Sequence, residues 1–324
     1  MARYLAIDLG GTKTSVSLGD ETGLLICSRR MPTNASADPE LWRIRLRDLM
    51  HHVLDEARCD RSAVAAVGLA VPGPMNVAAG LVLEPPNMPA WRNIPAKRWV
   101  EEITERPVTI NNDANAAALA EYMFGAFRGT PDLVYLTMST GIGAGVISGG
   151  NLLQGADDLA GEVGHMVIDR DGLPCPCGQN GCWEIYCGGL NVARRVQETL
   201  RHETRSTLLV EEAGGDLSRI DFACIERAVR RHDRYALEVW DDFLHHLAHG
   251  IGIVTMCYNP RVVVLGTIAI HMQDLIWPKL EGLVRQFAWK QACRNLLVRP
   301  TQLGGTIGDL GALALALPAG TGQG

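Results

Sequence analysis

The sequence predicts an α/β protein of two lobes, and three observations carry that prediction. The chain has 324 residues, 47% hydrophobic and 20% charged, enough for two cores or one large α/β unit. Apolar strands end repeatedly in glycine- or proline-rich loops and alternate with helical stretches, the order expected of open α/β sheets. One strand–glycine turn–strand pattern occurs twice, at the N-terminus and again from Asp132.

In chain order, RYLAIDL reads as a buried strand, GGTKTSVSLGD as a glycine turn into a second, and GLLICSRRM as a third, antiparallel one. Pro39 to Arg58 has helical spacing, with Leu41, Ile44, Leu49 and Val53 near one face. AVAAVGLAVPGP is a strand ending in a loop. The short strand RPVTI delivers NNDANAAALAEYMFGA, whose alanine-rich body is a strong helix. DLVYLTMSTGIGAGVISGG then repeats the opening pattern, and a glycine- and proline-rich segment covers 149–189. A long helix from Asp233 to about Tyr258 presents Leu237, Trp240, Leu244, Leu247, Ile251 and Val254. RVVVLG is a strand, Met272 to Trp289 a helix and GDLGALALAL a short closing helix. The expected division is a first lobe over 1–113, rejoined by the closing helix at about 305–317, and a second over 114–304. A cleft between them and a disordered tail over 318–324 are expected as well.

Composition excludes several classes. A net charge of −6 without a run of basic residues argues against nucleic-acid binding. No stretch approaches eighteen uninterrupted apolar residues, and MARYLAIDLGGTK lacks the features of a secretory leader, so a soluble cytoplasmic protein with no membrane partner is expected. Nine cysteines in such a chain should be reduced. Cys27, Cys59, Cys187, Cys224, Cys257 and Cys293 stand singly and read as small buried residues.

Four segments carry chemistry. In DLGGTKT, a strand ending in Asp8 runs into two glycines and a hydroxyl residue; such a turn exposes backbone N–H groups to phosphate, with Asp8 facing Mg²⁺, though an ordinary hairpin turn looks the same. STGIGAG, from Ser139 to Gly145, is a second such turn, and together they suit a nucleoside triphosphate. NNDANAAALAE puts Asn112 and Asp113 where a strand meets a helix; one serves as a helix cap, while an aspartate there suits proton abstraction from a hydroxyl attacking phosphorus. Finally, GHMVIDRDGLPCPCGQNGCWE clusters Cys175, Cys177 and Cys182 after His165, a three-sulfur, one-nitrogen set that suits a filled, structural tetrahedral Zn²⁺ site. Glu162 and Glu184 bracket it, free to accept hydrogen bonds from ligand hydroxyls. In HHLAH, His245 and His249 have metal-like spacing, but His246 stands where a metalloprotease needs glutamate, so the run reads as a helix face.

These segments, in this order, resemble the ROK family (repressors, open reading frames and sugar kinases) of the hexokinase–actin–Hsp70 fold superfamily, from Asp8 to about Leu315. LAGEVGHMVIDRDGLPCPCGQNGCWE is similar to the family signature almost position for position. The resemblance implies a two-lobed, actin-like ATPase fold with duplicated mixed sheets and a zinc-bound loop over 164–184. It implies ATP-dependent phosphorylation of a hexose 6-hydroxyl by a homodimer. By the same matching, Asp113 is the general base, and Asn112, Glu162, His165, Glu184, Gly73 and Asn87 contact the sugar. Asp8, Gly10, Gly11, Thr12, Lys13, Thr140, Gly141, Gly143 and Gly266 meet ATP and Mg²⁺, and His165, Cys175, Cys177 and Cys182 hold zinc. Glucose is the expected sugar, ahead of fructose, mannose, allose and the N-acetylhexosamines. The family's repressors carry an N-terminal winged helix, which is not expected here because the first phosphate strand is reached by Asp8. One departure stands out: where the family shows a triple-glycine turn near adenine, this sequence reads Leu265, Gly266, Thr267. Ser139, where glycine is common, is a milder variation.

Overall fold

The computed structural model describes residues 2–318. The chain begins with strands β1 (Arg3–Leu9), β2 (Lys13–Gly19) and β3 (Leu25–Pro32), then helix α1 (Pro39–Glu56) and strand β4 (Val64–Val71). A small hairpin follows, β5 (Met75–Asn76) and β6 (Leu81–Val82), then α2 (Ala96–Thr104), β7 (Val108–Asn112) and α3 (Asp113–Phe124). The repeat opens with β8 (Leu133–Met138), β9 (Ile142–Ser148) and β10 (Asn151–Leu152). After a long loop come α4 (Trp183–Cys187), α5 (Gly189–His202), α6 (Leu209–Glu212), α7 (Phe222–Arg230) and α8 (Arg234–Tyr258). β11 (Val262–Leu265), α9 (Ile268–His271), α10 (Gln273–Phe287), β12 (Leu297–Pro300) and α11 (Ile307–Ala316) complete the chain.

The strands form two five-stranded sheets of matching order, β3-β2-β1-β4-β7 and β10-β9-β8-β11-β12. In each, three consecutive strands run outward and two later strands extend the opposite side, so the repeated sequence pattern reflects a repeated topology. In the first sheet β1 pairs antiparallel with β2 and parallel with β4, and β7 continues parallel beside β4. Two compact units divide the described residues: one gathers those up to Tyr135, Gly145–Gly161 and those from Gln302 onward, the other Leu136–Ala144 and Glu162–Thr301.

In the first unit, strand alternation assigns each side chain of β1 to a face. Leu5, Ile7 and Leu9 enter an apolar cluster with Trp42, Leu46 and Met50 of α1. Tyr4 and Ala6 enter another with Ala116 and Ala120 of α3 and Leu310 and Leu313 of α11. The small residues of this second cluster let two helices lie close against the sheet, and the same alternation puts Asp8 on their side. In the second unit α8 is the central element. Asp233 caps it by accepting a hydrogen bond from the N–H of Ala236 at 2.8 Å, and Trp240, Leu244, Leu247, Ile251 and Val254 are buried.

Some expectations need correction. On α1 the buried residues are Pro39, Trp42, Leu46, Met50, Val53 and Leu54, while Leu41 and Ile44 are 53% and 45% exposed. The series 42, 46, 50, 53 fits the helical period better, and its large aromatic member dominates the core. Cys257 is exposed instead of buried, and Cys27 and Cys59 are half-buried. Of the expected disordered tail, all but Pro318 lies outside the described residues. Among the described residues no helix is long and apolar enough to cross a membrane.

Candidate active site and metal centre

Three carboxylates converge in the first unit because of where their elements end. Asp8 is near the carboxyl end of β1 and Asp113 opens α3 immediately after β7, the position at which parallel sheets present functional groups. Asn112 is the helix cap: its Oδ1 accepts hydrogen bonds from the N–H groups of Ala114 at 2.8 Å and Asn115 at 3.4 Å. Asn111 braces the same junction, its Oδ1 accepting from the N–H of Asn112 at 2.8 Å and from Asn115 Nδ2 at 3.0 Å. The surplus of polar residues in NNDAN is thereby resolved. Asn111, Asn112 and Asn115 build the junction, and exposed Asp113 is not its cap.

The third carboxylate, Asp309, sits in the first turn of α11 and is 4% exposed. Ser15 Oγ donates to its Oδ1, and Arg30 Nη2 lies 3.5 Å from its Oδ2. The strand registers set Asp8 opposite Ser15 and Ser15 opposite Arg30, so one polar row crosses β1, β2 and β3 beneath α11. Gly308 lets that helix approach, since a side chain there would collide with the Asp8 carboxylate. Burial, then the charges of Asp113 and Asp309, push the Asp8 carboxyl up to about 7, against the opposing pull of Lys13 and Arg30. A divalent cation would relieve that crowding, so the residues fit Mg²⁺.

The turn between β1 and β2 closes with Gly10 N–H donating to the Lys13 carbonyl at 2.9 Å. Thr33 ties it down, donating from Oγ1 to the Gly10 carbonyl at 2.6 Å and from N–H to the Thr12 carbonyl at 3.0 Å. Asn87 lies against this turn, its Nδ2 2.8 Å from where a Gly11 side chain would begin. Gly73 precedes Pro74 in the loop after β4.

The second unit holds the cysteine cluster. His165 ends a single 3₁₀ turn, and the ligand atoms of His165, Cys175, Cys177 and Cys182 all lie within 4.8 Å of one another. Cys177 and Cys182 sulfurs are 3.5 Å apart, and Cys175 Sγ is 3.8 Å from His165 Nδ1. The loop turns back on itself with the N–H of Cys175 donating to the Gln179 carbonyl at 2.8 Å and that of Gly181 to the Leu173 carbonyl at 2.7 Å. Three sulfurs and one imidazole nitrogen at this spacing fit a tetrahedral Zn²⁺ site with every position filled by protein. A backbone hydrogen bond at Gln179 pulls the Cys177 thiol down to about 7, whereas burial pushes Cys182 up to about 12. With Nδ1 as the ligand atom, His165 would carry its proton on Nε2, available to another partner.

Both bracketing glutamates belong to this unit. Burial raises the Glu162 carboxyl above its ordinary range, with His165 opposing and Glu184 adding to the rise. Glu184, in the first turn of α4, points Oε2 at the turn between β8 and β9, accepting from the Ile142 N–H at 3.4 Å. Gly141 permits this, for a side chain there would strike that carboxylate. The glycine turn holding Thr140, Gly141 and Gly143 is thus joined to the segment that follows the metal loop.

Beside that turn lies the departure at Leu265–Thr267. Gly266 N–H donates to the Leu136 carbonyl at 2.8 Å, and Thr267 has φ 46° and ψ −104°, a glycine-like conformation costing a β-branched residue on the order of 1–3 kcal/mol. Its Oγ1 accepts from the Met138 N–H at 2.8 Å and donates to the Met138 carbonyl. The hydroxyl is therefore directed at β8. The histidine run on α8 behaves as a helix face: His245 and His249 pack on Phe287 at 4.9 and 4.7 Å, and His246 stacks on Tyr186 at 4.3 Å.

Sequence reading missed Ser15, Arg30, Gly308 and Asp309. The available signal was an acidic residue inside the apolar run GDLGALALAL, which a closing helix has no reason to bury unless it is paired.

Two duplicated mixed sheets, each opening with a hairpin around a glycine turn, are the arrangement of the actin-like class of α/β fold, and the second unit adds a His/Cys loop to it. Within that class the chain belongs to the ROK family, whose profile matches residues 4–319. It is 33% identical to a glucokinase of Thermotoga maritima, over 97% of this chain and 96% of that one. It is 28% identical to a putative xylose repressor of Caldicellulosiruptor, over 97% of this chain but 77% of the relative. Among solved structures, a ROK glucokinase from Streptomyces griseus in complex with glucose and AMPPNP superposes with a TM-score of 0.79, at 29% identity, covering 97% of this chain and 99% of that one.

Proposed function

We propose that this protein is a sugar kinase that transfers the γ-phosphoryl group of ATP to the 6-hydroxyl of a hexose, with glucose the preferred acceptor. The carrying observation is the first-unit site, where Asp8 and Asp113 meet near the ends of parallel strands beside a glycine turn. The glucokinase from Thermotoga and the glucose and AMPPNP complex from Streptomyces support the choice of sugar and donor.

In this reading Asp113 accepts the proton of the 6-hydroxyl as its oxygen attacks the γ-phosphorus in line. Asn112 spends its side-chain oxygen on the cap of α3, so its amide N–H groups meet the sugar. Glu162 and Glu184 accept from sugar hydroxyls, His165 donates through Nε2–H, and Gly73 and Asn87 border the sugar. The Gly10 N–H is closed inside its turn, which leaves Gly11 and Thr12, with the Lys13 ammonium, for phosphate oxygens. Thr140, Gly141, Gly143 and Gly266 serve the rest of the nucleotide. Asp8 would hold Mg²⁺, which when bound supplies positive charge against the phosphates. His165, Cys175, Cys177 and Cys182 would hold a structural Zn²⁺ that fixes the loop bearing Glu162 and His165.

The test is ADP release from Mg-ATP across a panel of glucose, fructose, mannose, allose, N-acetylglucosamine and N-acetylmannosamine. Highest kcat/KM with glucose is the expected result. Preference for another member of the panel reassigns the sugar, and sugar binding without ADP release from any member replaces the kinase with a sugar sensor.

A further inference from the structure

We propose that Thr267 is a positioning residue for the nucleotide: its hydroxyl completes the end of β8 and thereby holds the Thr140–Gly143 turn in its phosphate-binding form. This deepens the kinase reading above and rests on it. Threonine at the start of a helix ordinarily turns its oxygen back to cap that helix. Thr267 occupies that place before α9 and makes no such bond. Its Oγ1 instead accepts from the N–H and donates to the carbonyl of Met138, the last residue of β8.

The arrangement follows from the geometry of the sheet. β11, the neighbour of β8, ends at Leu265, and the next residue still pairs, Gly266 N–H to Leu136 carbonyl. One step farther the chain must leave the sheet to enter α9, which would strip Met138 of a backbone partner. The left-handed turn at Thr267 lets the backbone depart while one hydroxyl does the work of both a carbonyl and an amide. The next residue, Ser139, opens the glycine turn, and its carbonyl accepts from Gly189 N–H at 2.8 Å. On the other flank Glu184 Oε2 accepts from Ile142 N–H at 3.4 Å. The residues between are therefore pinned at both ends, and the Thr267 hydroxyl shares the β8 side with the Gly189 bond to Ser139. Glycine in its place would relieve the strained φ but release Met138.

The test compares Thr267→Gly and Thr267→Ser by calorimetric binding of Mg-ADP and of glucose, thermal unfolding, and amide hydrogen exchange at Met138 to Gly141. For Thr267→Gly, nucleotide affinity is expected to fall roughly tenfold, the equivalent of about 1.4 kcal/mol. Exchange from Met138 to Gly141 should quicken, while glucose affinity and melting temperature stay near the parent values. Thr267→Ser keeps the hydroxyl and should restore nucleotide affinity. Unchanged nucleotide affinity in Thr267→Gly, or equal losses for nucleotide and glucose, would overturn the inference. A parent protein that binds glucose but not Mg-ADP would overturn the kinase reading itself and this inference with it.

Discussion

The carboxylate site of the first unit and the metal loop of the second are held in place by different physical means. Asp8 stands on β1 and Asp113 opens α3 directly after β7; the registers of these strands are set by continuous ladders, and β1 alternates its side chains between two apolar clusters. The face of Asp8 follows from period-two geometry and the place of Asp113 from where β7 ends, and moving either requires moving the sheet. The loop between Glu162 and Trp183 has one 3₁₀ turn, two isolated bridges and exposed residues at Leu173, Cys177 and Gln179. Val163 and Cys182 are buried at its ends, most residues from Asp169 to Gly181 are exposed, and its four ligand atoms close within 4.8 Å. A scaffold holds one site; in the proposed reading a Zn²⁺ cross-link holds the other.

The largest effect should come from breaking that cross-link. Removing metal with a chelator, or replacing Cys177 by Ser, should release the loop and with it Glu162 and His165. Zinc content, hydrogen exchange and glucose binding measured together check this. Amides from Val163 to Cys182 should lose protection and glucose affinity should collapse, while amides of β1 stay protected. Equal protection of the loop with and without metal would show that the loop is ordered by packing.

A smaller effect with an unusual sign belongs to the scaffold site. Gly→Ala inside a helix ordinarily stabilises by roughly 0.5–1 kcal/mol. Gly308→Ala in α11 should instead destabilise by about 1–3 kcal/mol and lower kcat, because its methyl group meets the Asp8 carboxylate. Denaturant unfolding decides the sign, and a stabilised variant would mean that Asp8 has room to move.

The smallest effect is a pH dependence of the second unit's packing. Asp242 lies 2.6 Å from Arg195 and 3.3 Å from His246. Burial disfavours its charge, but hydrogen bonds from His246 and Arg195 prevail and hold it at about 2 instead of 3.8. Its contribution is present above pH 3.8 and is lost as pH falls toward 2. His246 is also disfavoured by burial, yet Asp242 raises it above 6.5; its contribution is full below that value and lost as pH rises through the raised one. The acid side should amount to no more than about 1–2 kcal/mol after solvent screening. Unfolding midpoints across pH should fall off on both sides, and Asp242→Asn should flatten both slopes.

How much was legible follows the same division. The hairpin strands, the glycine turns and α8 were readable because period-two and period-3.6 patterns are local, and the convergence of His165 with Cys175, Cys177 and Cys182 because clustered cysteines are rare in other settings. The face of α1 was misjudged because Leu41 and Ile44 are apolar yet exposed, and a single surface leucine carries no burial information. Helices α5 and α7 show buried residues at helical spacing, Val192, Ala193 and Val196 in one and Phe222, Ile225 and Val229 in the other, a pattern shorter and fainter than the loop before them. Two features were beyond sequence reading. Ser15 and Asp309 are separated by 294 positions, so their pairing exists only after the closing helix returns to the first sheet. Thr267 gives no local sign of its positive φ, which tertiary hydrogen bonds impose.

The most direct measurement is phosphoryl transfer by Asp113→Asn alongside its glucose affinity. Glucose binding close to that of the parent, with ADP release lower by about 10²–10⁴-fold, is the predicted result for loss of a general base from an intact site. Near-parental turnover would contradict it and remove Asp113 from the chemistry.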